Sequence, residues 1–343
     1  MTDAAAPPVH AGLDVAERAL AEEQLGHWGA AARLYAQVFR SAVLEGRVER
    51  AVDALRGQGR ALIREERFDE AEELVNLSRE ISERSGLARS AARAINALGI
   101  IRYERRDLGG AREYYHRALE LALDVGDDDL VGLACQNAGV VANDVGDLRE
   151  ARIAFMESIG SFVRSGNAAS ASLGYNNLGV ASAAIGEWLE AEVYFSRGIE
   201  IAERLHNAPL LAKLYGNRAE PLIFIGELQQ AGETLRLAEE TARAVGDRFA
   251  LSVASRWRAV LARIGGAYEE AEHHLQRALS LVPHPAPDRA DAFYELGRLR
   301  EAQGRGAEAG EAYGQAREIY ASFGGGAHPE GTGAGADAPA RGV

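Results

Sequence analysis

Cysteine, lysine and methionine are nearly absent from this chain of 343 residues, which holds one cysteine (Cys135), one lysine (Lys213) and two methionines. A single cysteine excludes an intramolecular disulfide and any cysteine-based structural zinc site. A single lysine excludes lysine-dependent chemistry unless Lys213 itself serves, and no glycine-rich loop precedes Leu211 to Tyr215. Positive charge is short as well. The formal net charge is -13, whereas binding DNA or RNA by counterion release needs a basic surface. No apolar run approaches the length of a membrane span. Met1 to His10 lack the basic and then apolar pattern of a secretory signal, so the expected compartment is the cytoplasm. Aromatic residues make up only 7% of the chain, which suits closely packed helices better than strands.

Small residues, in contrast, stand in strict order. Ala31, Ala71, Ala111, Ala151, Ala191, Ala231 and Ala271 are 40 residues apart, and Ala309 follows after a two-residue deletion. A second ladder, Ala19, Gly59, Gly99, Gly139, Gly179, Ala219, Ala259 and Gly297, runs twelve residues ahead of the first. A fixed period of this length marks a stacked array of one supersecondary unit. Such an array grows by addition and has no single core to saturate.

Each unit reads as two helices. In the third, the spacing predicts a first helix from about Ala92 to Arg105 and a second from about Gly109 to Val125. Gly26, Gly146, Gly186 and Gly226 fall between the helices of their units. Gly46, Gly86, Gly126, Gly166 and Gly246 close the second helix, where a left-handed cap is wanted. Asp127, Asn167 and Asp247 follow as candidate caps of the next helix. Four residues after each ladder alanine stands a large residue, among them Tyr35, Val75, Tyr115, Phe155, Phe195, Leu235, Leu275 and Tyr313. It is expected to fill the space that the small residues leave at the helix crossing. Pro221 is expected to kink its helix near Asn217. Pro283, Pro285 and Pro287 interrupt the seventh boundary, so the last unit is expected to pack loosely or to act as a cap.

These residues carry a resemblance. Ile95, Leu98-Gly99, Ala111, Tyr115 and Ala118, and again Tyr175, Leu178-Gly179, Ala191, Phe195 and Gly198, are similar to the tetratricopeptide repeat motif. The long period is similar to the variant in kinesin light chains and in peptide receptors of bacterial quorum sensing. The family's usual tryptophan is missing, and so is the proline after the second helix. The resemblance implies an all-α, right-handed superhelical solenoid of about eight antiparallel helical hairpins. Its expected extent is 12–323, with units 12–51, 52–91, 92–131, 132–171, 172–211, 212–251, 252–289 and 290–323. Disordered ends are expected at 1–11 and at the Gly/Ala/Pro tail 324–343.

In that family the first helices line a concave groove, and here they carry amides in phase. Asn137, Asn177 and Asn217 stand two residues before the second ladder, and Asn96, Gln136 and Asn176 three before it. Asparagine costs a helix roughly half a kcal/mol against alanine, so its recurrence asks for a reason. One reason is a peptide, whose N–H and C=O groups an amide can match together. With helices about 10 Å apart, three asparagines in register match about seven to nine extended residues. The competing use is bonding between neighbouring units. Arg56, Arg60 and Arg64 share one helical face, with Arg93 on the next unit, and await an acidic feature of a ligand or local acids such as Asp53, Glu65 and Glu66. Trp257 takes the asparagine phase in the seventh unit. With Phe224 it offers an apolar contact, unless the last unit covers it.

Chemistry finds little support. The neighbours His273 and His274 point about 100° apart on a helix and cannot chelate one ion. Asp127 to Asp129 lack the pattern of a calcium loop. No phosphate-cradling loop or nucleophile elbow is present, and Cys135 falls at an inward phase. The sequence therefore points to a non-enzymatic scaffold without cofactors, holding an extended protein or peptide segment through its amides. The alternative is a regulatory sensor of a small signalling peptide that acts on a separate effector. The irregular eighth unit also permits, without requiring, a homodimer through an end repeat.

Overall fold

The computed structural model describes residues 14–283 and 286–322. The expected disordered ends at 1–11 and 324–343, the outermost residues of the expected solenoid, and Pro285 lie outside them. The described residues form sixteen α-helices and no strand. They are α1 (Val15–Gln24), α2 (Trp28–Leu44), α3 (Val48–Arg64), α4 (Phe68–Arg84), α5 (Ala88–Glu104), α6 (Leu108–Asp124), α7 (Asp128–Asp144) and α8 (Leu148–Ser165). The series continues with α9 (Ala168–Ala184), α10 (Trp188–Arg204), α11 (Ala208–Phe224), α12 (Leu228–Val245), α13 (Arg248–Ile264), α14 (Tyr268–Leu281), α15 (Pro287–Ala302) and α16 (Gly306–Ser322). The chain divides into two compact units between Val141 and Ala142, inside α7.

In the first unit, α1 packs on α2, α3 on α2 and α4, and α5 on α4 and α6. In the second, α9 packs on α8 and α10, and the chain of neighbours runs unbroken from α10 to α16. One further set of contacts orders the helices into rows. The odd-numbered helices touch one another directly, α3 with α5 in the first unit and α9, α11, α13 and α15 in succession in the second. The even-numbered helices do not touch one another to that degree. The odd helices are therefore the inner, closer-set row of each unit.

The two ladders set how closely the two helices of each hairpin approach. A Cβ added to Gly59 would stand 2.5 Å from Val75 Cγ2. One added to Gly99 would stand 2.5 Å from Tyr115 Cε1, and one at Gly179 2.8 Å from Phe195. The large residues of α4, α6 and α10 thus occupy the volume a side chain would need on their odd partners. Ala71, Ala111, Ala191, Ala231 and Ala271 are fully buried at the same crossings. Buried serines add a second recurring link. Ser78, Ser172 and Ser252 each donate to a backbone carbonyl 26 residues away, of Val52, Gly198 and Ala278, at 2.9, 2.8 and 3.0 Å.

The hairpin turns follow the expected glycines, which all take positive φ. Asp127, Asn167 and Asp247 cap the following helices by accepting from Leu130, Ser170 and Ala250 N–H. Helix α5 begins at Ala88, about one turn earlier than the apolar spacing suggests, and does so with Leu87 at its N-cap and no side-chain cap. Glu66, Arg106 and His206 hold the same left-handed conformation without being glycine, at φ 59°, 61° and 50°. A side chain there costs about 1–2 kcal/mol, against about 0.5–1 kcal/mol of extra chain entropy for glycine. His206→Gly is therefore expected to raise stability by about 0.5–1 kcal/mol, read as a higher urea midpoint at unchanged slope.

At the first irregular place the helix continues, and at the second the last hairpin is not loose. Helix α11 runs through Pro221 as one element, Ala208–Phe224, and Pro221 itself is buried. The last hairpin is well packed: Leu299 of α15 is fully buried against Leu275 of α14 and Ala259 of α13. Pro287 starts α15 at its first turn, where its missing N–H leaves no helical bond unmade. No described helix is long and apolar enough to cross a membrane.

Candidate functional site

In the first unit the inner row is α3, α5 and α7. The arginines expected to await a ligand are mostly answered within the protein. Arg56 is 7% exposed. It donates to Asp53 at 2.7 Å and reaches the Ser90 carbonyl at 3.5 Å. Burial pushes its guanidinium below the usual value, and Asp53 only partly offsets that. Arg60 donates to both carboxylate oxygens of Glu23 on α1, at 2.9 and 3.1 Å. Arg64 lies 5.9 Å above the Trp28 ring. The acid that answers the trio best is therefore Glu23, from a helix far back in sequence, rather than Glu65 or Glu66. Arg93, half-buried on α5, makes no ion pair or hydrogen bond with any described residue.

The amides divide by phase. Asn96 is 4% exposed and accepts a hydrogen bond from Asn137 Nδ2 at 3.1 Å, across α5 and α7. In the second unit, Asn176 is 2% exposed and accepts one from Asn217 Nδ2 at 2.9 Å, across α9 and α11. The same 41-residue link thus occurs once in each unit. Asn96 and Asn176 are consumed by inter-repeat bonding and present no surface to a ligand. Asn177 accepts only a long bond from Asn176, at 3.3 Å, and Gln136 bonds to no described group. Both are half-buried. Asn217→Ala would strand the buried Asn176 oxygen, so it is expected to lower stability by about 1–3 kcal/mol, measurable by urea denaturation.

Of the expected apolar pair, Trp257 is not presented, whereas Phe224 is half-buried. Trp257 is 2% exposed and sits in the core with Leu222, Ile223, Val253 and Val260. Phe224 is stacked on Trp188 of α10, with ring centroids 4.2 Å apart and planes inclined by 8°. An indole in the asparagine phase is large enough to reach the core between neighbouring helices, which a short amide is not.

What the inner row of the second unit does present is charge on α11, α13 and α15. Arg256 stands at its centre, 4.5 Å above the Trp257 ring and 3.5 Å from Asp291. Asp291 also accepts the hydroxyl of Tyr320, whose own ionisation is pushed upward by burial and by that carboxylate. Burial works against the Arg256 charge, but Asp291, Glu220, Asp288 and Glu295 outweigh it and hold the guanidinium charged. Glu220 is pushed up to about 7, chiefly by loss of water, with Arg256 pulling the other way and Asp291 and Glu295 adding repulsion. Asp288 rises to about 6, through burial first and then Asp291, against the pull of Arg256 and Lys213.

Sequence reasoning places only Glu220 of this cluster, near Trp257 on the groove face, although more of it is in phase. Glu295 stands two residues before Gly297, where Asn137, Asn177 and Asn217 stand in their units, and Arg256 takes the phase of Asn96 and Asn176. Asp288 and Asp291 follow the proline-rich break where the period slips by two residues, so counting by forties misses them.

Comparison with known proteins agrees with this architecture. A tetratricopeptide-repeat family model matches residues 17–86 and 259–322. No curated protein matches the chain. Among solved structures, aspartyl phosphate phosphatase F from Bacillus subtilis superposes with a TM-score of 0.67 at 12% identity, covering 87% of this chain and 77% of that one. The apo form of RapI gives 0.66 at 13%, covering 79% and 98%. A Rap protein complexed with Competence and Sporulation Factor gives 0.62 at 12%, covering 91% and 98%. At such identities the likeness is one of fold. The fold is that of a tetratricopeptide-type helical-repeat solenoid, and the resemblance extends to the Rap proteins.

Proposed function

We propose that this protein is a non-catalytic receptor for an extended protein or peptide segment, held along the inner row of first helices. The observation that carries the reading is that the inner row of each unit, taken by itself, holds unfinished polar groups. Arg93 and Gln136 in the first unit make no hydrogen bond or ion pair with a described residue, and Glu220 in the second feels the charge of Arg256 without a hydrogen bond or ion pair. Asn177 retains both amide hydrogens and one acceptor lone pair. An extended backbone supplies matching N–H and C=O groups at about 3.3 Å per residue. The acidic feature expected of the ligand narrows to Arg93, because Arg56, Arg60 and Arg64 are engaged within the protein.

The regulatory alternative has support of its own, since one structural neighbour is a Rap protein complexed with Competence and Sporulation Factor. A receptor of that kind would hold a short signalling segment and act on a separate effector. Native mass spectrometry of the purified protein separates the two. A co-purifying short peptide favours the sensor, and a macromolecular partner favours the scaffold.

Asn177→Ala tests the site. It is expected to weaken segment binding by about 0.5–1.5 kcal/mol while leaving the thermal midpoint within a few degrees. Unchanged affinity together with a large loss of stability would assign Asn177 to the repeat stack instead.

A further inference from the structure

One phase of the even-numbered helices is polar in six hairpins and apolar in two. Two residues after the ladder alanine stand Arg33, Glu73, Glu113, Glu233, His273 and Glu311, whereas α8 has Ile153 there and α10 has Val193. Met156 on α8 and Leu189 on α10 extend the apolar surface, and all four side chains are more than half exposed. Single exposed apolar residues are ordinary, but a contiguous group of large ones marks an interaction surface. These four are contiguous because α8 and α10 lie side by side. Arg152 of α8 reaches Glu187 at 2.6 Å and Glu190 at 2.9 Å, at the start of α10. Ile153 and Leu189 are the chain neighbours of Arg152 and Glu190.

Two features of α8 identify what covers the patch. Arg149 and Glu157 stand four residues before and four after Ile153. Both are exposed, and neither side chain forms an ion pair or hydrogen bond with a described residue. Opposite charges set symmetrically about an apolar centre complement themselves. With a twofold axis across α8 at Ile153, the helix runs antiparallel to its copy, and Arg149 of each chain meets Glu157 of the other. Gly160 is the second feature, four residues beyond Met156 on the same side of the helix. Glycine weakens a helix interior. A Cβ added here would meet only Arg164 Nη1 at 3.5 Å, so packing within the protein does not require it. A second helix approaching from outside does.

The area is sufficient. Helix α8 has 18 residues, about 27 Å of length. Two such helices about 10 Å apart present a face of about 500 Å². A pair of copies would then bury about 1,000 Å², the lower bound for a specific interface.

We propose that a second copy of this chain docks on the outward face of α8 and α10. Ile153 meets Ile153 and Val193 meets Val193 near the axis, and two Arg149–Glu157 ion pairs fix the register. Both helices pack on α9 with their other side, so the odd-numbered row stays open in each copy. The dimer does not depend on segment binding, and it uses a side of the repeats rather than the eighth unit.

Sedimentation equilibrium of the full chain over a range of concentrations tests this. Wild type is expected to dimerise. Arg149→Glu and Glu157→Arg each set like charges against one another twice, and each is expected to raise the dimer dissociation constant about tenfold or more. An equimolar mixture of these two single variants is expected to associate again, because each supplies the charges that the other lacks. Ile153→Glu is expected to abolish association at an unchanged thermal midpoint, since its side chain is exposed in the monomer. Wild type that stays monomeric at every concentration overturns the proposal, as does a dimer indifferent to Ile153→Glu. Single charge variants that dissociate and do not recover on mixing overturn the twofold pairing. A monomer that instead retains a different protein, lost on Ile153→Glu, assigns the patch to that protein and overturns the second copy.

Discussion

Replacing Gly99 by alanine is expected to lower stability by about 2–3 kcal/mol, and a further Tyr115→Leu substitution is expected to recover part of the loss. The added methyl would lie 2.5 Å from Tyr115 Cε1, well inside contact distance. Tyr115 is 3% exposed and wedged between α5, Ala111 and Val141, so the ring has little room to retreat. The chain itself supplies the precedent for rescue. Where the ladder holds Ala219 or Ala259, the facing residue is Leu235 or Leu275, both buried. Tyr35, opposite Ala19, resolves the same conflict differently, by laying its ring against Gly57 on α3. The measurement is a double-mutant cycle by urea denaturation. A coupling of about 1 kcal/mol or more in favour of the pair is expected. Strict additivity would mean that the crossing is not set by this contact.

The second large effect is a dependence of stability on pH that runs against ordinary acid denaturation. Glu220 titrates at about 7 in the folded protein against its ordinary 4.5, and Asp288 at about 6 against 3.8. Both values are raised, so the folded state binds protons that the unfolded state releases. Their contribution is fully present below the unfolded values and is lost as the pH rises through about 6 and then 7. A tenfold difference in proton affinity between the two states corresponds to about 1.4 kcal/mol. With allowance for partial exposure, Glu220 alone is expected to remove on the order of 2–3 kcal/mol at pH 8. Glu220→Gln is therefore expected to be more stable than wild type at pH 8 and about equal to it near pH 4, with the difference opening between. Urea midpoints of the two proteins across that range check this. Parallel profiles would mean that Glu220 keeps its hydration in the groove. A group that weakens the folded state at neutral pH fits a residue kept for binding rather than for the stack.

Much of the fold is legible in the sequence because one physical constraint repeats. Two helices cross closely only over small residues, and the facing large residue must follow at fixed spacing. Gly99 with Tyr115 and Gly179 with Phe195 therefore appear as ladders in the sequence alone. The site is less legible because phase tells which side of a helix a residue faces, not whether its polar atoms are already taken. Asn96 and Asn137 stand one step apart in phase, and the sequence does not show that each takes the other. Their difference is that one helix sets its amide behind the other, and that depends on stacking across 41 residues. Arg60 looks unanswered for the same reason, since Glu23 lies 37 residues away. Trp257 keeps the phase of a groove residue, yet its size carries it into the core. Asp288 and Asp291 are hidden by the slip in period that the prolines introduce.

That the odd-numbered helices form the binding face is tested most directly by hydrogen–deuterium exchange of the full chain, with and without a peptide selected on it. Slower exchange is expected in α9, α11, α13 and α15, with the outward sides of α10, α12 and α14 unchanged. Protection confined to the even-numbered helices, or spread evenly over both rows, would contradict it.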